Sequence, residues 1–156
     1  MSDSRPIGVF DSGLGGLTVA NAIKEKLPNE NIVYLGDTAR VPYGNKSTFL
    51  VTGYATQITN FLLGENAKLI VVACNTASAL ALPALQSKYQ VPILGVIIPG
   101  SQAAVHATRN KHVGVIGTIA TINSNAYNKV LNEIESSIQI TAQACPYLYH
   151  LSRKVG

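Results

Sequence analysis

The sequence predicts an α/β fold in which helices cover a parallel sheet. Short apolar runs alternate with longer segments of helical periodicity, and most of the runs are continuously apolar. Continuous apolar runs are typical of strands that are buried on both faces, as parallel strands joined by helices are. The chain has 156 residues, of which 47% are hydrophobic and 13% are charged, so it is long enough to bury a substantial core.

The first half of the chain contains three predicted strands, at residues 7–10, 32–35 and 68–73. Helical spacing places two sets of apolar residues on one face each, namely Val19, Ile23 and Leu27 in the first helix and Leu50, Tyr54, Ile58, Phe61 and Leu62 in the second. A third helix follows residue 74 and extends to about Lys88, with Pro83 at its start or at a kink.

The second half continues the alternation, with predicted strands at residues 92–97, 113–116 and 138–142 and predicted helices at 100–108 and 120–135. No linker or low-complexity segment interrupts it. The segment 97–100, Ile-Ile-Pro-Gly, is the best boundary between two α/β lobes. We therefore expect a first lobe over residues 1–98 that bears the reactive cysteine and a partial second lobe over residues 99–156.

Composition and spacing argue against several classes of function. The net charge of +4 comes from scattered residues, which argues against nucleic-acid binding. No apolar run reaches the roughly 18 residues of a membrane span. Cys74 and Cys145 form no disulfide framework, and free thiols fit a reducing cytoplasm. The histidines, His106, His112 and His150, have no metal-ligand spacing, so we expect no metal site.

Polar residues follow four of the predicted strands. They are Asp11-Ser12, Asp37-Thr38, Cys74-Asn75-Thr76 and Gly117-Thr118. Because the carboxyl ends of parallel strands lie at one edge of a sheet, we expect these groups to converge on one pocket.

Cys74 follows a buried strand and precedes residues that can begin a helix. Asn75 or Thr76 can cap that helix, whose free N–H groups and dipole favour a thiolate and lower its pKa. This arrangement predicts a reactive cysteine at a ligand site. Free cysteine is also among the most buried residue types, so a packing role for Cys74 stays equally open from this stretch alone.

The loops after the first two predicted strands contain three further residues, each of which is interpreted as structural or as a ligand contact. Asp37 is interpreted as a turn or helix-capping residue, which aspartate favours. Asp11 precedes a glycine-rich turn that lets backbone N–H groups approach a ligand. Tyr43 lies between Pro42 and Gly44, a position that favours a ligand contact over packing.

The glycine-rich turn also suggests a nucleotide-binding site. A dinucleotide fingerprint needs G-x-G-x-x-G after the first strand. Gly13 and Gly15 match its first two glycines, while Thr18 stands at the third position, and no Gly-Lys-Ser/Thr of a P-loop occurs. A nucleotide-binding α/β module therefore stays an alternative that only part of the fingerprint supports.

Four segments carry a resemblance to a known family. They are IGVFDSGLGG at 7–16, GDTARVPYG at 36–44, ACNTAS at 73–78 and GTIAT at 117–121. In this order and spacing they resemble the glutamate racemases of the cofactor-independent aspartate/glutamate racemase superfamily. The resemblance extends from about residue 7 to residue 146. It implies three-layer parallel-sheet lobes of the aspartate/glutamate racemase type, with the second lobe incomplete.

The resemblance also implies a reaction, the interconversion of L- and D-glutamate for peptidoglycan synthesis without pyridoxal phosphate or metal. In this family one cysteine removes the α-proton as a thiolate, and a second protonates the opposite face as a thiol. Cys74 matches the first cysteine, and Asp11 matches a carboxylate at the site that assists its proton handling. The other matching positions bind the substrate and are Ser12, Pro42, Tyr43, Gly44, Asn75, Thr76, Thr118 and Thr121. Because family members often dimerise, a homodimer is a further expectation.

The sequence departs from the family towards its end. The family's second cysteine lies in a Cys-Thr-His segment, and this chain contains no Cys-Thr-His. Residues 147–156 do not resemble the family's continuation, so we expect a chain truncated at its C-terminus. Cys145 is expected to be structural and not a replacement for the second thiol. The open alternative is a catalytically inactive remnant that binds only glutamate or a partner chain.

Overall fold

The structure, a computed structural model, describes residues 3–146. Within these residues the strands are β1 (Ile7–Asp11), β2 (Ile32–Gly36), β3 (Leu69–Val72), β4 (Ile93–Gly95), β5 (His112–Gly117) and β6 (Gln139–Ala144). The helices are α1 (Leu17–Lys26), α2 (Thr48–Gly64), α3 (Asn75–Leu80), α4 (Leu82–Lys88), α5 (Ile97–Ala107), α6 (Ile119–Asn123) and α7 (Ala126–Ile134), and a 3₁₀ turn spans Tyr43–Asn45. Strands and helices alternate, which confirms the predicted α/β fold.

Four parallel strands form the first sheet, in the order β2-β1-β3-β4. β1 pairs with β2 on one side and with β3 on the other. The strand order therefore reverses between β1 and β3, and the carboxyl ends of these two strands form a topological switch point, where open α/β sheets bind ligands. Asp11 ends β1, and Cys74 lies just beyond β3.

Helices cover both faces of the first sheet. Successive side chains of a strand point to opposite faces, so Ile7 and Val9 pack in one cluster with Ala20 of α1. Phe10 belongs to a larger cluster on the other face, which contains side chains from α2, α3 and α4. This is the three-layer arrangement that the sequence resemblance implies.

β5 and β6 form a separate two-stranded parallel sheet. One of its faces consists of exposed residues in register, namely His112, Gly114 and Ile116 of β5 opposite Gln139, Thr141 and Gln143 of β6. The expectation that both faces are covered is thus confirmed for the first sheet and wrong for the second within the described residues. The polar residues of β6 alternate with half-buried Ile140 and Ala142, a pattern typical of a strand with one solvated face.

Two predicted elements of the second half differ from the structure. The strand predicted at 92–97 ends at Gly95, because Ile97 already begins α5. Pro99 lies in the first turn of that helix, where proline is tolerated, so the segment 97–100 is helical. The helix predicted at 120–135 is two helices, separated at Asn125, whose φ of 55° is left-handed. The division into lobes at residue 98 stays a prediction.

The buried face of α2 also differs from the predicted one. Leu50 and Phe61 are 42% and 50% exposed. Val51 and Ala55 are buried in their place, together with Ile58. Among residues 3–146, no helix combines the length and the apolar character that crossing a bilayer requires.

Candidate functional site

Cys74 and Ser12 meet at the carboxyl ends of β3 and β1. Sγ of Cys74 donates a hydrogen bond to Oγ of Ser12 over 3.3 Å. The backbone N–H of Ala73 donates to the carbonyl oxygen of Phe10 at 2.8 Å and so holds the two strand ends together. Cys74 is only 5% exposed. Two of the predicted site residues are therefore in contact at the switch point.

Cys74 is itself the N-cap of α3. Its backbone is extended, and Sγ accepts a hydrogen bond from the backbone N–H of Ala77 at 3.4 Å. Asn75 is consequently the first residue of the helix, and the prediction that Asn75 or Thr76 caps it is wrong. A thiol can serve here because sulfur is a weak acceptor for the free N–H groups of a helix start.

The surroundings of Cys74 raise the pKa of its thiol. Burial is the largest cause, since it withdraws water from the thiolate, and the negative charge of Asp11 is the second. Hydrogen bonds with Ser12 and Ala77 lower the pKa but do not outweigh these two effects. The expectation that the helix start lowers the pKa is therefore wrong for the net shift. At neutral pH Cys74 is a protonated thiol.

The glycine-rich turn after β1 holds the carboxylate of Asp11. Oδ2 of Asp11 accepts hydrogen bonds from Gly13 N at 3.0 Å and from Gly16 N at 3.1 Å. A Cβ at Gly16 would lie 2.5 Å from Cβ of Asp11, so only glycine fits there. Because these N–H groups bind Asp11 and are not free for a phosphate, the turn gives no support to the nucleotide-binding alternative.

Tyr34 supports this turn, although the sequence analysis did not single it out. Its hydroxyl donates to the carbonyl oxygen of Gly13 at 3.0 Å. Burial and, after it, the charge of Asp11 raise the pKa of Tyr34 to about 12, so the hydroxyl stays protonated and keeps donating. A tyrosine within a predicted strand gives no sequence signal for this contact, because the contact exists only once the turn lies against β2.

Asp37 is a buried partner of Tyr43 and Arg40. Its backbone begins a turn as predicted, since Arg40 N donates to its carbonyl oxygen at 3.3 Å. Its carboxylate, however, accepts a hydrogen bond from the hydroxyl of Tyr43 at 2.5 Å and pairs with Nε of Arg40 at 2.7 Å. The guanidinium lies 4.5 Å from the ring centroid of Tyr54. Arg40 thus compensates a carboxylate that burial would otherwise destabilise.

The Tyr43 side chain is part of the core. It is 1% exposed, and its ring centroid lies 5.6 Å from that of Tyr54. Burial and the hydrogen bond with Asp37 raise the pKa of Tyr43 far above its usual range. The interpretation that this side chain contacts a ligand instead of packing is wrong. Tyr43 and Gly44 of the 3₁₀ turn are both buried, and Pro42 before them is half-buried.

Gly44 lies against Thr118. A Cβ at Gly44 would come within 2.3 Å of Cβ of Thr118, so a side chain there cannot be accommodated without movement. Thr118 is the N-cap of α6, and its Oγ1 accepts from Thr121 N at 3.2 Å. The loop after β2 in the first sheet therefore meets the loop after β5 in the second, as the convergence of strand ends predicts.

Three predicted site residues form a triangle of hydroxyl groups. Oγ1 of Thr76 lies 3.0 Å from that of Thr118 and 3.1 Å from that of Thr121, and the latter two lie 2.9 Å apart. Each hydroxyl can donate one hydrogen bond and accept another around the triangle. Helices α3 and α6 are joined directly through these side chains.

A cavity of about 440 Å³ adjoins the triangle. Asn75, Thr118 and Thr121 line it together with Ser101 of α5, Tyr127 of α7 and strand β5. Tyr127, which the sequence analysis did not single out, donates its hydroxyl to Oδ1 of Asn75 at 2.6 Å. Cys74, Asp11 and Ser12 do not line the cavity, so it reaches the predicted site at Asn75, Thr118 and Thr121 and not at the thiol.

The second cysteine lies elsewhere in the fold. Cys145 follows β6, and its backbone N–H donates to the carbonyl oxygen of Gly117 at 2.8 Å. Both cysteines are free thiols. Across residues 3–146, no three His, Cys, Asp or Glu side chains are placed to share a metal ion.

The sequence profile of Asp/Glu/hydantoin racemases matches residues 8–152, nearly the whole chain. The chain belongs to the Asp/Glu/hydantoin racemase family. Within this family it is 50% identical over 150 residues to the glutamate racemase of Geobacter metallireducens, a match that covers 96% of this chain and 56% of that protein. It is 53% identical over 147 residues to the glutamate racemase of Syntrophus aciditrophicus, covering 94% and 54%. The chain thus spans about half the length of the curated relatives it matches.

Solved structures of racemases share the fold. The glutamate racemase isoform RacE1 of Bacillus anthracis superposes with a TM-score of 0.92 at 43% identity, over 99% of this chain and 60% of that one. The glutamate racemase of Francisella tularensis, in complex with D-glutamate, superposes with a TM-score of 0.88 at 40% identity, over 98% and 57%. These similarities confirm the racemase-type α/β fold.

Proposed function

We propose that this chain forms a glutamate racemase site in which Cys74 exchanges a proton with the α-carbon of glutamate. The supporting observation is the buried Cys74 thiol at the switch point. This thiol is hydrogen-bonded to Ser12, and the charge of Asp11 raises its pKa. Relatives that are 50% and 53% identical are named glutamate racemases. Because the chain spans about half their length, the complete reaction belongs to the proposal.

The charge of the substrate supplies what the thiol needs to become a base. Burial and Asp11 raise the pKa of Cys74. The ammonium group of glutamate brings a positive charge into the site, and a nearby positive charge favours the thiolate. In this proposal Cys74 passes its thiol proton to the carboxylate of Asp11, whose charge acts on the thiol. The resulting thiolate then takes the α-proton: the Cα–H bond breaks as the S–H bond forms, and the electron pair stays on the α-carbon.

Hydrogen-bond donors around the substrate stabilise that carbanion. The α-proton is very weakly acidic, so the charge that develops towards the α-carboxylate needs donors held in place beforehand. We assign the binding of the carboxylate and ammonium groups to Ser12, Pro42, Tyr43, Gly44, Asn75, Thr76, Thr118 and Thr121. Tyr43 takes part through its backbone, since its side chain is bonded to Asp37. Asp11 takes part in binding and in the proton handling of Cys74.

Protonation of the opposite face decides the stereochemical outcome. A second acid on that face inverts the α-carbon, whereas a single thiol returns the proton to the face it left. Cys145 stays assigned to a structural role, since it lies after β6 beside Gly117. No cofactor enters the removal of the α-proton in this proposal, because a thiolate suffices for that step.

The remaining parts of the proposal concern the setting of the site. The free thiols fit a reducing cytoplasm, where the racemase supplies D-glutamate for peptidoglycan synthesis. Residues 1–98 form the lobe with Cys74, and residues 99–156 belong to the second lobe. The chain associates as a homodimer.

Exchange of the α-proton in D₂O tests the function. The chain is incubated with D-glutamate and separately with L-glutamate, deuterium is measured by NMR, and the enantiomers are separated by chiral chromatography. Deuterium with inversion supports the full proposal. Deuterium with retention supports Cys74 as the base but overturns racemisation. Binding without exchange overturns catalysis and identifies a chain that only binds glutamate.

A further inference from the structure

Tyr127 of α7 contacts a residue of the proposed substrate site. Its hydroxyl donates to Oδ1 of Asn75 across 2.6 Å. Burial raises the pKa of Tyr127, so the hydroxyl remains a donor at neutral pH. Within the part of the chain that the structure describes, no other hydrogen bond to the Asn75 side chain occurs.

The direction of this hydrogen bond determines which half of the Asn75 amide is left for a ligand. An asparagine amide offers a carbonyl oxygen, which accepts, and an amino group, which donates. With Oδ1 bound to Tyr127, the amino group is the free half. Asn75 lines the cavity beside the hydroxyl triangle and directly follows Cys74, so this choice affects the polarity of the site itself.

We infer that Tyr127 is a positioning residue that holds Asn75 with its amino group towards a carboxylate of glutamate. The inference rests on the proposed function. If the Asn75 amide were rotated by 180°, it would present its oxygen to the ligand, and an oxygen binds an ammonium group but repels a carboxylate. The two orientations have nearly the same shape, and the one in the structure, with Oδ1 on the Tyr127 hydroxyl, leaves the amino group free.

The fold keeps the Tyr127 ring in position for this task. The ring lies against α5, where a Cβ at Gly100 would be 3.6 Å from the Tyr127 hydroxyl and 3.8 Å from Cε1, an ordinary van der Waals separation. Asn75 begins α3, which follows β3 of the first sheet, whereas Tyr127 belongs to α7, one of the two helices between β5 and β6. The contact therefore also links the two sheets beside the site.

Binding of D-glutamate and of its two monoamides to the whole chain tests the inference. Calorimetry compares the wild type with Tyr127→Phe, which keeps the ring and removes the hydroxyl. Loss of one positioning hydrogen bond should weaken D-glutamate binding about threefold to tenfold. The substitution should also reduce the preference for D-glutamate over one of its amides, D-isoglutamine or D-glutamine. The turned Asn75 amide presents its oxygen, which accepts a hydrogen bond from the amide of such a ligand but repels a carboxylate.

Tyr89→Phe is the matched control, since the hydroxyl of Tyr89 donates to Oδ1 of Asn60 at the same 2.6 Å, outside the site. It should leave both the affinity and the preference unchanged. In an Asn75→Ala background, Tyr127→Phe should add no further loss, because Tyr127 acts through Asn75. An additional loss of the same size would overturn the inference, as would unchanged binding and preference in Tyr127→Phe alone.

NMR signals of the Asn75 side-chain amide give a readout that needs no ligand. Tyr127→Phe should shift them, and Tyr89→Phe should not. Unshifted signals overturn the positioning role even where glutamate binds. A wild-type chain that binds no glutamate overturns the proposed function and with it the carboxylate role of Asn75, a result distinct from any failure of the Tyr127 variant.

Discussion

Sγ of Cys74 and Oγ of Ser12, which are 62 positions apart in the chain, lie 3.3 Å from each other at the ends of β3 and β1. Ser12 and Ala77 lower the pKa of Cys74, but burial and the charge of Asp11 raise it more, so the thiol that donates to Ser12 stays protonated. The resting site therefore holds a protonated thiol, and the proposed function assigns its conversion to a base at neutral pH to the positive charge of the substrate. This makes the reactivity of Cys74 a direct probe of its surroundings.

Asp11→Asn should make Cys74 more reactive towards iodoacetamide. In a Cys145→Ser background, which leaves Cys74 as the only thiol, alkylation of the otherwise unchanged chain should be slow at pH 7 and rise with pH. The substituted asparagine would keep an oxygen for Gly13 N and Gly16 N but remove the negative charge that raises the Cys74 pKa. The alkylation profile should then move to lower pH. A profile that stays in place or moves to higher pH would contradict the role given to Asp11.

Thr121→Val should destabilise the fold by about 1–2 kcal/mol, because it removes a hydroxyl that bonds both Thr76 and Thr118. Urea unfolding measures the change. Thr59→Val is the matched control: its hydroxyl is buried in α2 and has no hydrogen-bond partner within residues 3–146. Removing an unpaired buried hydroxyl should leave stability unchanged or raise it by up to about 1 kcal/mol. Equal losses in both variants would refute the triangle as a source of stability.

Gly44→Ala should lower stability and abolish measurable glutamate binding. Its Cβ would come within 2.3 Å of Thr118, so α6 must shift, and overpacking of this kind costs about 1–3 kcal/mol. Gly53→Ala provides the comparison, because nothing lies within 4 Å of a Cβ there and alanine favours a helix interior by about 1 kcal/mol. Thermal unfolding and calorimetry should show opposite stability changes, with binding kept in Gly53→Ala. Intact binding in Gly44→Ala would exclude this contact from the site.

Tyr43→Phe should destabilise the chain by about 1.5–3 kcal/mol, since it removes a hydrogen bond to the buried carboxylate of Asp37. Tyr54→Phe keeps the ring beneath Arg40 and should change stability far less. Chemical unfolding of both variants measures the difference. Glutamate affinity, measured where the variant is folded, should stay near that of the wild type, because the Tyr43 hydroxyl is hydrogen-bonded to Asp37 and the proposal assigns substrate binding to the Tyr43 backbone. A large loss of affinity at unchanged stability would restore the Tyr43 hydroxyl as a ligand contact.

The sequence predicts the architecture of the first sheet well because its signals are local. Continuous apolar runs mark the strands, and polar residues mark their ends. Parallel pairing then brings Asp11, Ser12 and Cys74 to one edge without further information. The contact between Gly44 and Thr118 is also consistent with the predicted convergence, although no local pattern specifies which loops touch.

The errors in the sequence analysis arise where tertiary contacts decide the outcome. Tyr43 has the neighbours of a loop residue, yet Asp37 and the core draw its side chain inwards. Cys74 caps α3 because the turn after β3 directs its sulfur at Ala77 N. Its pKa is raised because burial, which the sequence does not report, outweighs the helix start. The sequence does not predict the contact between Tyr127 and Asn75, because this contact depends on how α7 packs.

The most direct test of Cys74 as the proton-transferring group is deuterium incorporation at the α-carbon of D-glutamate in D₂O, compared among the wild type, Cys74→Ser and Cys145→Ser. A serine hydroxyl is far too weak an acid to replace the thiolate, so exchange by Cys74→Ser should fall by about 100-fold or more. Cys145→Ser should exchange at the wild-type rate. Exchange that persists in Cys74→Ser, or that is lost in Cys145→Ser alone, would contradict the assignment of Cys74.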